Sequence, residues 1–103
     1  MRLTSKVALV TGAGSGLGRE IALAFAREGC AVGVIDLRAE AADAVVAEVK
    51  AAGGEAAALV CDVADSRAVH KMFAQHMGVF QNLDILVNNA GIAVMEDHVR
   101  KNW

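Results

Sequence analysis

The sequence contains no proline and no tyrosine, and only three phenylalanines and one tryptophan occur among its 103 residues. With its abundant alanine and aliphatic residues, this composition is typical of a helix-rich globular core and excludes a disordered chain. No apolar run approaches the roughly 18 residues that a membrane-spanning helix requires. The segment before the first apolar run, Met1–Lys6, is too short for a signal peptide. We therefore expect a cytoplasmic protein without a membrane segment.

The net charge is small, and the chain has only two cysteines. The formal net charge is −2, with both signs spread along the chain, so no basic patch points to nucleic acid. Cys30 and Cys61 are predicted at the start of the second strand and the end of the third, on the order of 15–20 Å apart. A disulfide requires Cα atoms within about 7 Å. We expect two buried free thiols, and the three histidines lack the spacing of a shared metal site.

Short apolar runs alternate with longer amphipathic stretches along the whole chain. The pattern predicts strands over 6–11, 31–36, 56–61 and 83–87, and helices over 16–28, 39–52 and from Asp65 or Ser66 to about Met77. Such alternation indicates right-handed βαβ units and a parallel sheet. We predict one α/β domain over 1–103 with a Rossmann-type sheet in the order 3-2-1-4. The first two helices should cover one face of the sheet and the third helix the other.

A glycine-rich run, Thr11–Gly18, follows the first strand and opens the first helix. The start of a helix presents unpaired N–H groups and the positive end of its dipole, which both favour an anion. Glycine is needed because the chain turns sharply and a pyrophosphate must approach the backbone closely. The run therefore predicts a phosphate site formed by Gly12, Ser15, Gly16, Leu17 and Gly18.

Asp36 ends the second strand, 24 residues after Gly12. A carboxylate there can accept hydrogen bonds from the ribose hydroxyls of an adenosine, and it repels a 2′-phosphate. The alternative is that Asp36 caps the second helix. Arg38 could meet a phosphate, but no arginine or lysine lies within the glycine turn, so we predict NAD rather than NADP.

Four motifs, in this order, resemble the N-terminal half of the short-chain dehydrogenase/reductase family: Thr11-Gly12-x-x-x-Gly16-x-Gly18, Asp36, Asp62-Val63 and Asn88-Asn89-Ala90-Gly91. The similarity extends from Lys6 to about Ile92. It implies an NAD-binding Rossmann domain that lacks the second half of the fold.

The resemblance also implies roles for the later motifs. Asp62 should hold the adenine amino group through its side chain, with the Val63 backbone beside it. Asn89 should contact the adenosine-side ribose or the neighbouring backbone, and Gly91 should fix the end of the fourth strand at the site. Two alternatives stay open: Asp62 as a turn-forming residue before the third helix, and the two asparagines as turn residues that satisfy local backbone groups.

In this family a serine after the fifth strand, a Tyr-x-x-x-Lys pair on the following helix and an asparagine on the helix before them carry the chemistry. None of these positions is present, so we predict no catalytic residue and no activity of this chain alone. The resemblance implies that the chain is the NAD-binding portion of an enzyme, either a truncated gene product or a part of a longer protein. The complete enzyme would transfer a hydride between NAD(H) and an alcohol or carbonyl substrate. The alternative is a non-catalytic nucleotide-binding module or a regulatory partner of a full-length relative.

The apolar run Leu83–Val87 is typical of a strand buried between two neighbours. In a sheet of four strands it would form an edge, and only Asp84 interrupts the run. Natural edges are protected by charge, proline or a bulge. We therefore expect the chain to self-associate through the edge of its fourth strand, to swap with a relative or to remain loosely packed.

Overall fold

The computed structural model describes residues 5–14, 16–88 and 91–94. Strands and helices alternate, as predicted, until the last strand: β1 (Val7–Val10), α1 (Gly16–Arg27), β2 (Ala31–Asp36), α2 (Ala39–Ala51), β3 (Glu55–Val60), α3 (Ser66–Phe80), β4 (Ile85–Asn88) and β5 (Gly91–Val94).

The sheet has the order β3-β2-β1-β4-β5, which confirms the predicted order of the first four strands. Those four strands are parallel, and Val10 of β1 lies between Val34 of β2 and Val87 of β4. The chain first builds outward from β1 to β3 and then returns to the other side of β1. In parallel sheets a ligand crevice forms at the carboxyl ends of the strands, where the strand order reverses. Here that point lies between β1 and β4.

The fourth strand does not form an open edge, so this part of the prediction is wrong. β5 pairs with β4 in antiparallel orientation, with Asn88 opposite Gly91 and Ile85 opposite Val94. Residues 91–94 thus supply backbone partners along the side of β4 that faces away from β1. The stated reason for self-association through β4 is thereby removed. The sequence Gly-Ile-Ala-Val is short and apolar, and a hairpin lets it satisfy the backbone groups of its neighbour.

Successive strand residues point to opposite faces of the sheet and build two separate cores. Ala8 and Val10 belong to the core under α1 and α2, together with Ala22, Val32, Val34, Val45 and Val49. Leu9 belongs to the core under α3, together with Ile35, Leu59, Met72 and Leu83. Helices therefore cover both faces, as predicted. Cys30 lies in the first core and Cys61 in the second, and both thiols are free.

The third helix begins where predicted and ends one turn later than predicted. The Asp65 side chain caps it, since Oδ1 accepts hydrogen bonds from the backbone N–H of Arg67 (3.0 Å) and Ala68 (3.4 Å). The helix continues past Met77 to Phe80 and ends at Gln81, whose φ of 62° is left-handed. The N–H of Gln81 donates to the carbonyl oxygen of Met77 (2.8 Å), which closes the last turn.

His76 is completely buried between α3 and the middle of β2. One ring nitrogen, Nε2, lies 2.9 Å from the carbonyl oxygen of Asn82, and the other, Nδ1, has no hydrogen-bond partner in the part of the chain that the structure describes. A side chain at Gly33 would meet this ring, because an added Cβ would lie 2.7 Å from Nδ1. Burial lowers the pKa of His76, although the bond to Asn82 opposes the shift.

Candidate functional site

The glycine turn is hydrogen-bonded to the carboxyl ends of the two strands that flank β1. Thr11 donates its N–H to the carbonyl oxygen of Val87 in β4 (2.9 Å), and Ala13 donates to that of Ile35 in β2 (2.8 Å). Gly12 between them has a φ of 61°, a left-handed conformation that glycine adopts without steric cost. The first part of the turn is therefore anchored to the strands on both sides of β1.

The start of α1 packs directly on this turn. A Cβ added to Gly18 would overlap the carbonyl oxygen of Gly12, so only glycine allows the approach. Gly16 has a φ of 58°, and a Cβ built there meets no atom within 4 Å. The helix thus begins beside open space. Leu17, next to it, is 70% exposed, and Ser15 lies outside the described residues.

Asp36 joins the end of β2 to the glycine turn. Its Oδ2 accepts a hydrogen bond from the N–H of Gly14 (2.9 Å), and its Oδ1 accepts one from the N–H of Arg38 (3.0 Å). The Arg38 guanidinium Nε lies 3.6 Å from Oδ1. Burial alone raises the pKa of Asp36, but these hydrogen bonds and the Arg38 charge outweigh it and hold the pKa below its usual value. A buried, ionised carboxylate therefore sits against the turn.

The alternative role of Asp36 as the cap of α2 is not what the structure shows. The residue at the N-cap position is Arg38, and no side chain caps this helix. Asp36 accepts from the N–H of Arg38, which precedes the helix.

Gly14 was missed by the sequence analysis, which treats it as one of the variable positions in the glycine pattern. A Cβ added here would lie 2.7 Å from Oδ2 of Asp36 and 2.7 Å from the Cβ of Ala41 in α2. Its only sequence signal is a fourth glycine in a run that needs three.

Asp62 and Val63 follow β3 and are exposed at the carboxyl ends of the strands, where the glycine turn also lies. The last residue of β3, Val60, pairs with Asp36, and the N–H of Cys61 donates to the carbonyl oxygen of Asp36 (3.1 Å). Oδ1 of Asp62 accepts from the N–H of Ala64 (2.9 Å), so the turn-forming role is present. Among the described residues, no donor is bonded to the second carboxylate oxygen, which can accept a further hydrogen bond.

The last motif is described only in part. Asn89 lies outside the described residues, and Gly91 begins β5 opposite Asn88. This backbone pairing places Gly91 at the end of β4, the same edge of the sheet as the glycine turn.

Residues 6–103 match the family model described as short chain dehydrogenase. The chain belongs to this family. It therefore shares its motifs and its Rossmann-type fold with the short chain dehydrogenases.

Its relatives include enzymes with different named substrates. The chain is 43% identical over 91 residues to the 7alpha-hydroxysteroid dehydrogenase of Escherichia coli, covering 88% of this chain and 36% of that protein. It is 45% identical over 92 residues to the D-threitol dehydrogenase of Mycolicibacterium smegmatis, covering 89% of this chain and 35% of that protein. The chain thus spans little more than a third of the length of these relatives.

Solved structures of the family have the same fold. The crystal structure of hydroxysteroid dehydrogenase from Escherichia coli matches with a TM-score of 0.83 and 41% identity over 84% of this chain and 37% of that one. A 7 alpha-hydroxysteroid dehydrogenase complexed with NADH and 7-oxo glycochenodeoxycholic acid matches with a TM-score of 0.83 and 41% identity, covering 84% of this chain and 34% of that one.

A large open groove lies at the amino ends of the strands, at the end of the sheet opposite to the glycine turn. It has a volume of about 810 Å³ and is lined by the amino ends of β1, β2 and β3 and the last turns of α1 and α2. None of the predicted site residues lines it. Within the described part of the chain, no group of three or more metal-ligating side chains occurs, and no helix is long and apolar enough to span a membrane.

Proposed function

We propose that this chain binds NAD at the carboxyl edge of its sheet and forms the cofactor-binding portion of a short chain dehydrogenase. The hydrogen bond between Gly14 and Asp36 carries the proposal, because it joins the phosphate-binding turn to the acidic end of β2. A dinucleotide needs these two features side by side, one for its pyrophosphate and one for its adenosine ribose.

The residues of the glycine turn and the start of α1 fit the pyrophosphate of NAD. Gly16 opens α1 beside empty space, and Gly18 lets the helix start lie against the turn. Anions bind at such a helix start through its free N–H groups and its dipole. In this proposal the backbone of Gly12, Ser15, Gly16, Leu17 and Gly18, together with the hydroxyl of Ser15, holds the pyrophosphate.

The ribose is assigned to Asp36. Oδ2 of Asp36 accepts one backbone hydrogen bond and retains a further lone pair for a ribose hydroxyl, whereas Oδ1 also faces the Arg38 guanidinium. A 2′-phosphate would bring a second negative charge beside an ionised carboxylate, at a cost of about 1–4 kcal/mol at 4 Å, depending on the local dielectric. The site therefore favours NAD over NADP. Asp62, Val63, Asn89 and Gly91 complete the proposed contacts to the adenosine.

NAD, when bound, supplies the acceptor for a hydride. We propose that the complete enzyme transfers a hydride between NAD(H) and an alcohol or carbonyl substrate, as the names of its relatives suggest. This chain contains no tyrosine, so its own residues bind and orient the dinucleotide and do not move the substrate proton.

Calorimetric titration of this chain with NAD, ADP-ribose and NADP tests the proposal. We expect NAD and ADP-ribose to bind with similar affinity and NADP about tenfold more weakly, a difference of ~1.4 kcal/mol. Asp36→Ala should narrow or reverse the gap. Asp43→Ala, a matched change at an exposed position of α2, should not. Tighter binding of NADP by the wild-type chain would contradict the proposed role of Asp36.

A further inference from the structure

We propose that Gly14 is a specificity-determining residue that acts through Asp36. This inference rests on the proposed function, since it concerns the choice between NAD and NADP at that site. Gly14 affects the Asp36 carboxylate in two ways. Its N–H donates a hydrogen bond to the carboxylate, and its lack of a side chain leaves space for it.

The hydrogen bond fixes the orientation of the carboxylate. The N–H of Gly14 donates to Oδ2 over 2.9 Å, while the N–H of Arg38 donates to Oδ1 over 3.0 Å. With one backbone donor on each oxygen, the carboxylate plane cannot rotate without losing a bond. Charge-assisted bonds of this kind are stronger than neutral ones. Asp36 is therefore held in a single position at the end of β2.

The missing side chain of Gly14 provides the space. A Cβ would lie 2.7 Å from Oδ2 and 2.8 Å from Cγ of Asp36, and both distances are shorter than an ordinary van der Waals contact. The backbone cannot escape toward α2, because the same Cβ would lie 2.7 Å from the Cβ of Ala41. The carboxylate is the group that must move. An alanine at position 14 would therefore displace Asp36 and break its bond to the turn.

A displaced carboxylate no longer faces the ribose in a fixed position. It would accept hydrogen bonds from the ribose hydroxyls less well and repel a 2′-phosphate less. The glycines that shape the phosphate site, Gly12, Gly16 and Gly18, are unchanged. Gly14→Ala should thus weaken the discrimination between NAD and NADP more than it weakens binding of the pyrophosphate.

The test compares the ratio of the Kd values for NADP and NAD in a mutant cycle. We expect Gly14→Ala to lower this ratio by about tenfold, and Gly14→Ala/Asp36→Ala to have the same ratio as Asp36→Ala alone, because coupled residues are not additive. Gly78→Ala is the matched control, since a Cβ there meets no atom within 4 Å. A wild-type ratio in Gly14→Ala, or additive effects in the double variant, would overturn the proposal.

A second variant tests whether Ala41 closes the escape route. Gly14→Ala/Ala41→Gly removes the contact that blocks movement toward α2, so the Cβ of residue 14 can withdraw from Asp36 and the Kd ratio should return toward that of the wild-type chain. A Kd ratio as low as in Gly14→Ala would contradict the role of Ala41. Where Gly14→Ala does not fold, amide exchange in Asp36→Ala tests the link instead.

Amide hydrogen exchange at Gly14 tests the link without any nucleotide. We expect exchange at this amide to be at least tenfold faster in Asp36→Ala than in the wild-type chain, and unchanged in Asp43→Ala. If the wild-type chain binds neither NAD nor NADP, the proposed function is wrong. The exchange rate at Gly14 still tests its hydrogen bond to Asp36. Equal exchange rates in the wild-type chain and Asp36→Ala would refute it.

Discussion

At the residue scale, the buried carboxylate of Asp36 joins the end of β2 to the glycine turn. The N–H groups of Gly14 and Arg38 orient it, with one donor on each carboxylate oxygen. Its charge and its place at the carboxyl ends of the strands are what the proposed ribose contact requires.

Gln81 is a residue whose conformation suits glycine better. Its φ of 62° lies in the left-handed region, which costs residues other than glycine about 1–2 kcal/mol. We expect Gln81→Gly to raise the free energy of unfolding by ~1 kcal/mol in urea titrations. The matched change Gln75→Gly, at an exposed position inside α3, should lower it by ~1 kcal/mol. A loss of stability in both variants would show that Gln81 is not strained.

His76 should make the folded state sensitive to mild acid. Burial lowers its pKa in the folded chain, so the unfolded chain takes up a proton first as the pH falls through about 6.5. Stability is therefore level above that pH and decreases below it, by at most ~1.4 kcal/mol per pH unit, until the folded-state pKa is reached. Urea unfolding between pH 7.5 and 5 should show this decrease.

Two variants isolate the contribution of His76 to that pH dependence. His76→Gln should flatten the decrease, because the titrating group is gone. His70→Gln changes an exposed histidine on the same helix and should leave the decrease as in the wild-type chain. If the slopes of His76→Gln and the wild-type chain are equal, the buried imidazole is not the cause.

At the scale of elements, alternation of strand and helix is readable from the sequence, whereas the ends and the last strand are not. β2 has the predicted bounds, since an apolar run stops at a charged residue. α3 extends past its predicted end because Gly78 is tolerated inside it and the left-handed Gln81 closes it. β5 was missed because it pairs antiparallel with β4 and follows no helix, so the alternation of strand and helix does not indicate it.

The contact between β2 and α3 depends on Gly33. A Cβ there would lie 2.6 Å from Cδ1 of Leu9 and 2.7 Å from Nδ1 of His76. We expect Gly33→Ala to lower the free energy of unfolding by about 1–3 kcal/mol, the usual cost of overpacking a core. Gly78→Ala, in open space on α3, should raise it by up to ~1 kcal/mol. A Gly33→Ala variant as stable as the wild-type chain would contradict this packing.

At the scale of the whole molecule, the chain carries the motifs to which nucleotide binding is assigned and spans about a third of the length of its relatives. The sequence predicted the order of the first four strands and the edge at which the motifs meet, because both follow from βαβ handedness. The opposite edge carries the groove of about 810 Å³, which no sequence motif marks. The groove and the motifs therefore lie at different ends of the sheet, and the nucleotide is assigned to the end that carries the motifs. The hydrogen bond from Gly14 to Asp36 was not predictable from the sequence, because it depends on how the turn folds back over β2 and periodicity carries no information about such a contact.

Amide chemical shifts recorded during a titration of this chain with NAD test that assignment most directly. We predict that the largest changes fall in Thr11–Gly18, at Asp36 and at Asp62, with saturation at a single Kd. Amides around the groove at the other edge, such as Gly29, Gly53 and Gly54, should not move. Changes centred on those glycines, with the turn after β1 unaffected, would contradict the account.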